Sequence, residues 1–295
     1  MLSSIETSRS QRTGFDRRAA FVMGGAALAG LALTSRAAAQ TAVSDTDVLN
    51  FALNLEYLEA QFYTLAATGK TLAQAGIGTS GGSGAASGTV TVKPNPMVPF
   101  TTPLLQQFAT ELATEEQNHV SFLRSALGSN AVAMPDIDLE NSFNALASAA
   151  GLGSSFDPFA NETNFLLGAF IFEDVGVTAY LGAAGNISNK TYLDKAAGIL
   201  AVEAYHAGSI RLRVFQAGSA AQAAASKIAA ARASLDGTGN DDVGVGVSNG
   251  AATIVDADAN AMAFARTTAQ VLKIVYGGGS AGGAFFPSGL NGNIK

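Results

Sequence analysis

The chain holds two histidines, His119 and His206, and both stand in the same setting. His119 closes Glu116-Gln-Asn-His119, and His206 closes Glu203-Ala-Tyr-His206. Three residues is nearly one helical turn, so on a helix each carboxylate and imidazole leave the same face and can bind one ion. With ten glutamates in the chain, one histidine meets this neighbour by chance roughly 3% of the time, and two do so about 0.1% of the time. The chain has no cysteine, so any metal must be held by nitrogen and oxygen.

The elements that carry these pairs read as helices. One is predicted from about Thr102, with Pro103 in its first turn, to about Leu127; another runs from about Asn189 or Thr191 to Ala217. On the first of these, Phe108, Leu112, Glu116, His119 and Leu123 share a stripe; on the second, Ile199, Glu203, His206 and Ile210 do. Both pairs interrupt apolar stripes and should therefore be buried, where an uncompensated glutamate costs several kcal/mol. Two further helices are predicted: one capped by Ser44 or Asp45 and running to about Ala67, the other from about Asn161 to Ala184. Their inner stripes are Leu49, Ala52, Glu56, Glu59, Tyr63 and Leu166, Phe170, Glu173, Val177, Tyr180.

These stripes repeat. Glu56 precedes Tyr63 by seven residues and Glu173 precedes Tyr180 by seven, while Arg124 and Arg211 each follow their histidine by five. The pattern is a helix with Glu and Tyr, then a helix with Glu-x-x-His and Arg, twice. Four glutamates carry −4, which two divalent ions balance, and two neutral imidazoles complete a donor set suited to iron or manganese. Glu56, Glu116, His119, Glu173, Glu203 and His206 are the candidate ligands. Glu59 also faces inward, but Gly176 stands at its counterpart position, so it takes a supporting or alternate role. Tyr63 and Tyr180 read as core residues whose hydroxyls bond ligand carboxylates. Arg124 and Arg211 read as surface or ion-pair residues, and Glu111 and Glu115 as solvated helix-surface acids.

Four carboxylates and two histidines on four helices resemble the di-metal centre of the ferritin-like superfamily. NLEYLEAQFY with Glu56, EEQNH with Glu116 and His119, FEDVGVTAY with Glu173 and VEAYH with Glu203 and His206 carry the resemblance from about Asp45 to Gly218. AFARTTAQVLKIVYG and FFPSGLNG extend it to exported ferritin-like domain proteins related to plant desiccation-related proteins. The resemblance implies an all-α fold, a ferritin-like four-helix bundle with a long crossover, and two iron or manganese ions. It implies ferroxidase, peroxidase or catalase-like chemistry on O2 or H2O2; the alternative is a non-enzymatic stress protein that keeps the bundle for stability. A third reading, a helical surface-interaction protein, rests only on the long first loop. The length and the C-terminal extension argue against a storage cage, and the missing cysteines against the iron site of a rubrerythrin.

The connections follow from composition. Gly76–Gly88 is rich in glycine and serine and precedes Val90, Val92, Pro94, Pro96 and Pro99, which reads as a flexible loop with a short edge strand. A linker spans about Met134–Pro158, and a tight turn at Gly185–Asn189 joins the last two bundle helices. Beyond Gly218, Ala220–Leu235 and Asp258–Tyr276 are predicted helices, and Phe285-Phe286-Pro287 lie in an extended strap. The expected organisation is residues 1–39 as an export signal, 44–218 as the bundle and 219–295 as a helical extension.

Residues 1–39 carry five arginines and two acids; an apolar run, Ala19–Leu33, follows Arg17-Arg18, and Ala37-Ala38-Ala39 precedes Gln40. That is the layout of a cleaved signal of twin-arginine type, with Phe21 one residue later than usual, and it implies a periplasmic or secreted protein. The run is too short for a stable span. Without it, 12 basic residues face 21 acidic ones, a net charge of −9, which argues against nucleic acid as a partner. A homo-oligomer is compatible with all of this.

Overall fold

The computed structural model describes residues 43–239 and 241–295; the expected export signal lies outside them. Four long helices hold the candidate residues: α1 (Asp45–Thr68), α2 (Pro103–Leu127), α4 (Glu162–Ala184) and α5 (Lys190–Gln216). Each starts where its sequence supplies a partner for the free N–H groups of the first turn or needs none. Ser44 and Asp47 form a capping box on α1, Asn161 caps α4, Asn189 caps α5, and Pro103 opens α2.

Side-chain bonds between helices give their directions. Thr64 meets Gln117, Tyr57 meets Arg124, and Asn50 meets the chain at Asn130, so α1 and α2 run antiparallel. Tyr63 meets Glu173 and Tyr180 meets Glu56, which sets α1 antiparallel to α4. Gly176 faces Glu203 and, one turn earlier on α4, Glu173 meets His206, one turn later on α5, which sets α4 antiparallel to α5. Consequently α2 and α4 run the same way, and the chain between them must travel back along the bundle, about 37 Å for a helix of 25 residues. Residues 128–161 make that journey.

The crossover is more ordered than its composition suggests. It contains β2 (Ile137–Asp138) and a short helix, α3 (Asn141–Ala149), which the sequence reading left inside a linker. β2 pairs in parallel with β1 (Val90–Thr91), the expected short strand. The glycine-rich loop expected to be flexible instead lies against this segment, with Gly82 N–H on Ala131, Gly88 N–H on Met134 and Met134 N–H on Thr79. A Cβ at Gly88 would stand 2.4 Å from the Pro135 carbonyl carbon. Glycine there permits close backbone approach, not freedom.

α6 (Ser219–Asp236), the hairpin of β3 (Gly246–Ser248) and β4 (Ala251–Thr253), and α7 (Thr268–Val275) follow. α7 is ten residues shorter at its start than the predicted Asp258–Tyr276 helix. Asp258 Oδ1 accepts from the N–H groups of Asn260 and Met262, an Asp-centred turn, and helix begins only where Thr267 and Gln270 form a capping box. The C-terminal segment straps α1: Asn54 and Asn291 exchange two hydrogen bonds, and Phe285 packs on Phe143 and Phe172. α1 is therefore buried nearly all round. α4 is long and apolar enough to cross a membrane, yet 83% of its most apolar window is buried by the surrounding helices.

An ion-pair chain ties the extension to the outer side of α4. Asp174 accepts from Arg211 and Arg232 at 2.8 Å each; Arg232 also grips Asp242, and Arg266 grips Asp236 and Asp242. Arg232 additionally lies over the Phe170 ring at 4.5 Å. Asp174, Asp242 and Asp256 come close enough to resemble a cation site, but guanidinium groups already partner the first two, Arg211 and Arg232 at Asp174 and Arg232 and Arg266 at Asp242. The group is a tether.

Removing one partner of such a pair strands buried charge. Arg232→Ala should lower the unfolding free energy by about 3–5 kcal/mol, whereas Lys93→Ala, which breaks a half-exposed pair with Asp157, should cost about 0–1 kcal/mol. Urea unfolding of the two variants measures both; equal effects would show that the tether contributes no more than a surface pair.

Candidate metal centre

All six sequence-predicted ligands converge in the middle of the bundle. Glu56, Glu116, Glu173 and Glu203 are fully buried, and His119 and His206 are 9% and 3% exposed. His119 Nδ1 lies 3.2 Å from Glu56 Oε2, 3.3 Å from Glu116 Oε2 and 3.5 Å from Glu203 Oε1. His206 Nδ1 lies 3.1 Å from Glu116 Oε1 and 3.4 Å from Glu173 Oε2. The donor atoms fall into two groups, each within 4.8 Å: Glu56, Glu116, His119 and Glu203 in one, Glu116, Glu173 and His206 in the other. Glu116 belongs to both. Glu203 stands in the His119 group only.

The two tyrosines cross over between halves. Tyr63 of α1 donates to Glu173 Oε1 of α4 at 2.5 Å, and Tyr180 of α4 donates to Glu56 Oε1 of α1. Each hydroxyl uses up one oxygen of its glutamate and leaves the other aimed inward. The arginines follow the same symmetry: Arg124 donates to Tyr57, next to Glu56, and Arg211 to Asp174, next to Glu173. Glu59 is buried beside Glu203 but gives no atom to either group. Gly176 explains the gap in the repeat, since a Cβ there would stand 2.4 Å from Glu203 Oε2 and 3.3 Å from Glu59 Oε1.

So many carboxylates in one dry space shift one another. Burial, then repulsion from Glu116, holds the Glu203 carboxyl well above the ordinary range; burial and Glu203 do the same to Glu59. Burial raises Glu56 to about 7 against the pull of His119. Glu116 goes the other way, to about 2: burial raises it, but the two imidazoles beside it outweigh that. Burial disfavours the charged imidazoles, but Glu56 raises His119 and Glu173 raises His206, the latter to about 12. Without metal, protons on the two rings supply the positive charge the carboxylates need.

Hydrogen bonds do not satisfy the set. Glu56 Oε2, Glu116 Oε1, Glu173 Oε2, both Glu203 oxygens and His206 Nδ1 are buried and unpartnered. Each such atom ordinarily costs about 1–3 kcal/mol, and here they point into one space. Five oxygens and a nitrogen of this kind form the donor set of a borderline divalent ion, so the residues fit a metal centre.

A family model described as a ferritin-like domain matches residues 44–216. The chain belongs to the ferritin-like domain family. It is 32% identical over 175 residues to desiccation-related protein PCC13-62 of Craterostigma plantagineum, a match covering 59% of this chain and 54% of that protein. The chain thus matches about half the length of that relative. It is 26% identical over 274 residues to ferritin-like catalase Nec2 of Nesocodon mauritianus, covering 85% of each. No solved structure matches the chain significantly. Relation to desiccation-related proteins and an all-α ferritin-like bundle, both expected from the motifs, are thereby shown.

Sequence reasoning missed one polar residue of the centre. Glu115, read as a solvated surface acid, places Oε2 2.6 Å from His206 Nε2. Its partner lies on another helix hairpin, so spacing along the chain carries no sign of it.

Ions entering this ferritin-like centre must displace the ring protons. Loading should release protons, and affinity for Mn²⁺ should rise with pH between about 6 and 8. Calorimetry in buffers of different ionisation heat checks this; heats independent of buffer would overturn the protonation state described.

Proposed function

We propose that the chain is a metal-dependent redox enzyme acting on hydrogen peroxide or dioxygen, with peroxide breakdown to water and O2 as its leading reaction. The observation that carries the reading is the convergence of six buried, unpartnered donor atoms between α1, α2, α4 and α5. Glu56, Glu116, His119 and Glu203 would hold one iron or manganese ion, and Glu116, Glu173 and His206 a second. Bound there, such ions supply the one-electron chemistry that side chains lack. Peroxide is preferred over Fe²⁺ oxidation because the similarity to a protein named as a catalase runs over most of both chains.

The chain's own residues set the conditions for that chemistry. Tyr63 and Tyr180 hold Glu173 and Glu56 by their hydroxyls, fixing which oxygen faces inward. Phe165, Phe170, Leu112 and Ile210 are buried on the same helices and keep bulk water from the carboxylates, which strengthens every charge interaction inside. Gly176 leaves room beside Glu203 and Glu59. Glu59, its carboxyl well above the ordinary range, keeps a proton next to Glu203. We also read the chain as exported, on the strength of Arg17-Arg18, the Ala19–Leu33 run and Ala37-Ala38-Ala39.

A second reading, a non-enzymatic desiccation or stress protein, draws on the 32% identity to a desiccation-related protein. It predicts that folded Glu203→Ala and His206→Ala variants still protect dried cells.

The test begins with metal content. Protein purified without chelators should hold about two iron or manganese ions per chain, and Glu116→Gln/Glu203→Gln should lose them. Peroxide consumption, followed by O2 release, should fall at least about 100-fold in that variant. A folded wild-type chain that refuses added Fe²⁺ and Mn²⁺ would overturn the proposal; a loaded chain that leaves peroxide untouched would overturn the reaction.

A further inference from the structure

We infer, resting on the metal-binding reading above, that Glu115 is a positioning residue for His206 and that it makes the two ion positions unequal. His206 Nε2 meets Glu115 Oε2 at 2.6 Å on one side of the ring, while Nδ1 on the other side faces Glu116 Oε1 and Glu173 Oε2 and has no hydrogen-bond partner of good geometry. An imidazole donating Nε2–H to a carboxylate presents its Nδ1 lone pair on the opposite edge, oriented and made more basic by the anion behind it. The bond also links α2 to α5.

His119 has no such support among the described residues. Its Nδ1 faces Glu56, Glu116 and Glu203, and all its polar neighbours stand on that side. The internal repeat shows why. Glu115 is the residue before the Glu116-x-x-His119 pair and reaches across to His206; the residue before the Glu203-x-x-His206 pair is Val202, which can accept nothing. The repeat that matches at the six candidate ligands, the two tyrosines and the two arginines is broken at this supporting position.

Glu115 also marks the boundary with solvent. Its side chain is 40% exposed. One to two helical turns away on α2 and α5, Phe108, Glu111, Ser209 and Leu212 line an open groove between the two helices. The His206 position is thus the better supported of the two.

The experiment is a Co²⁺ titration of the metal-stripped full chain, read by its visible absorption, for wild type, Glu115→Ala, Glu115→Leu and Glu115→Gln. Glu115→Ala and Glu115→Leu should weaken one of the two ions by about 10–100-fold and leave the other within about twofold. Glu115→Gln, whose amide oxygen still accepts the Nε2–H, should recover most of the loss. Leu keeps the helix and the bulk if Ala disturbs folding, which circular dichroism reports. Two ions bound as in wild type, or both weakened equally, would overturn this inference alone. A wild-type chain that binds no Co²⁺, Mn²⁺ or Fe²⁺ would overturn the metal reading and this one with it.

Discussion

Like charge buried in a dry bundle is the constraint on which the molecule turns. Glu56, Glu59, Glu116, Glu173 and Glu203 lie within one core, each 5% exposed or less, and five carboxylates cannot all be ionised there without compensating charge. Compensation comes from within the same space: two imidazoles, the hydroxyls of Tyr63 and Tyr180, and protons retained on Glu59 and Glu203. Divalent ions satisfy the same demand more completely, because they also partner the oxygens that hydrogen bonds leave alone. The centre is destabilising as a set of side chains and makes physical sense as a set of ligands.

The rest of the fold supports that arrangement. α1 and α4 each present a glutamate and a tyrosine, and their antiparallel packing lets each tyrosine fix the other helix's glutamate. α2 and α5 carry the Glu-x-x-His pairs, which face each other across the centre, His206 against Glu116 and His119 against Glu203. Among the described residues, the segments outside the bundle give no atom to either donor group. The C-terminal strap covers α1, and the Asp174–Arg232–Asp242 chain covers the outer side of α4, one residue along from Glu173. Anchoring the backbone on both sides of these residues keeps their geometry fixed, which a set of metal ligands needs. The family relation agrees, since the ferritin-like match ends at residue 216 while the similarity to the ferritin-like catalase spans most of the chain.

The internal symmetry is close but not complete, and its two breaks fall at the centre. Gly176 stands where a partner of Glu59 would be, because a side chain there would collide with Glu203. Val202 stands where a partner of Glu115 would be, which leaves His119 without an anion behind its ring. A duplicated core thus presents two unlike halves to whatever occupies it.

The four long helices, their ends and the six inward-facing donor residues were legible along the chain. These are local facts: capping residues mark termini, and a period of 3.6 residues puts Glu116 and His119, or Glu203 and His206, on one apolar face. The sequence also marked Tyr63 and Tyr180 as partners of ligand carboxylates, since each repeats in register with a glutamate. Tertiary structure alone decided what depends on contacts between distant segments. α3 was hidden because nine residues rich in alanine and serine carry too weak a period, and helix before Thr268 was lost to a turn made by Asp258. The glycine-rich loop became ordered because it packs on residues 128–136, which composition does not reveal. Glu115 looked like any solvated acid until α5 was laid beside α2. Spacing along one helix can show which face a side chain takes, but not which atom from another helix will meet it there.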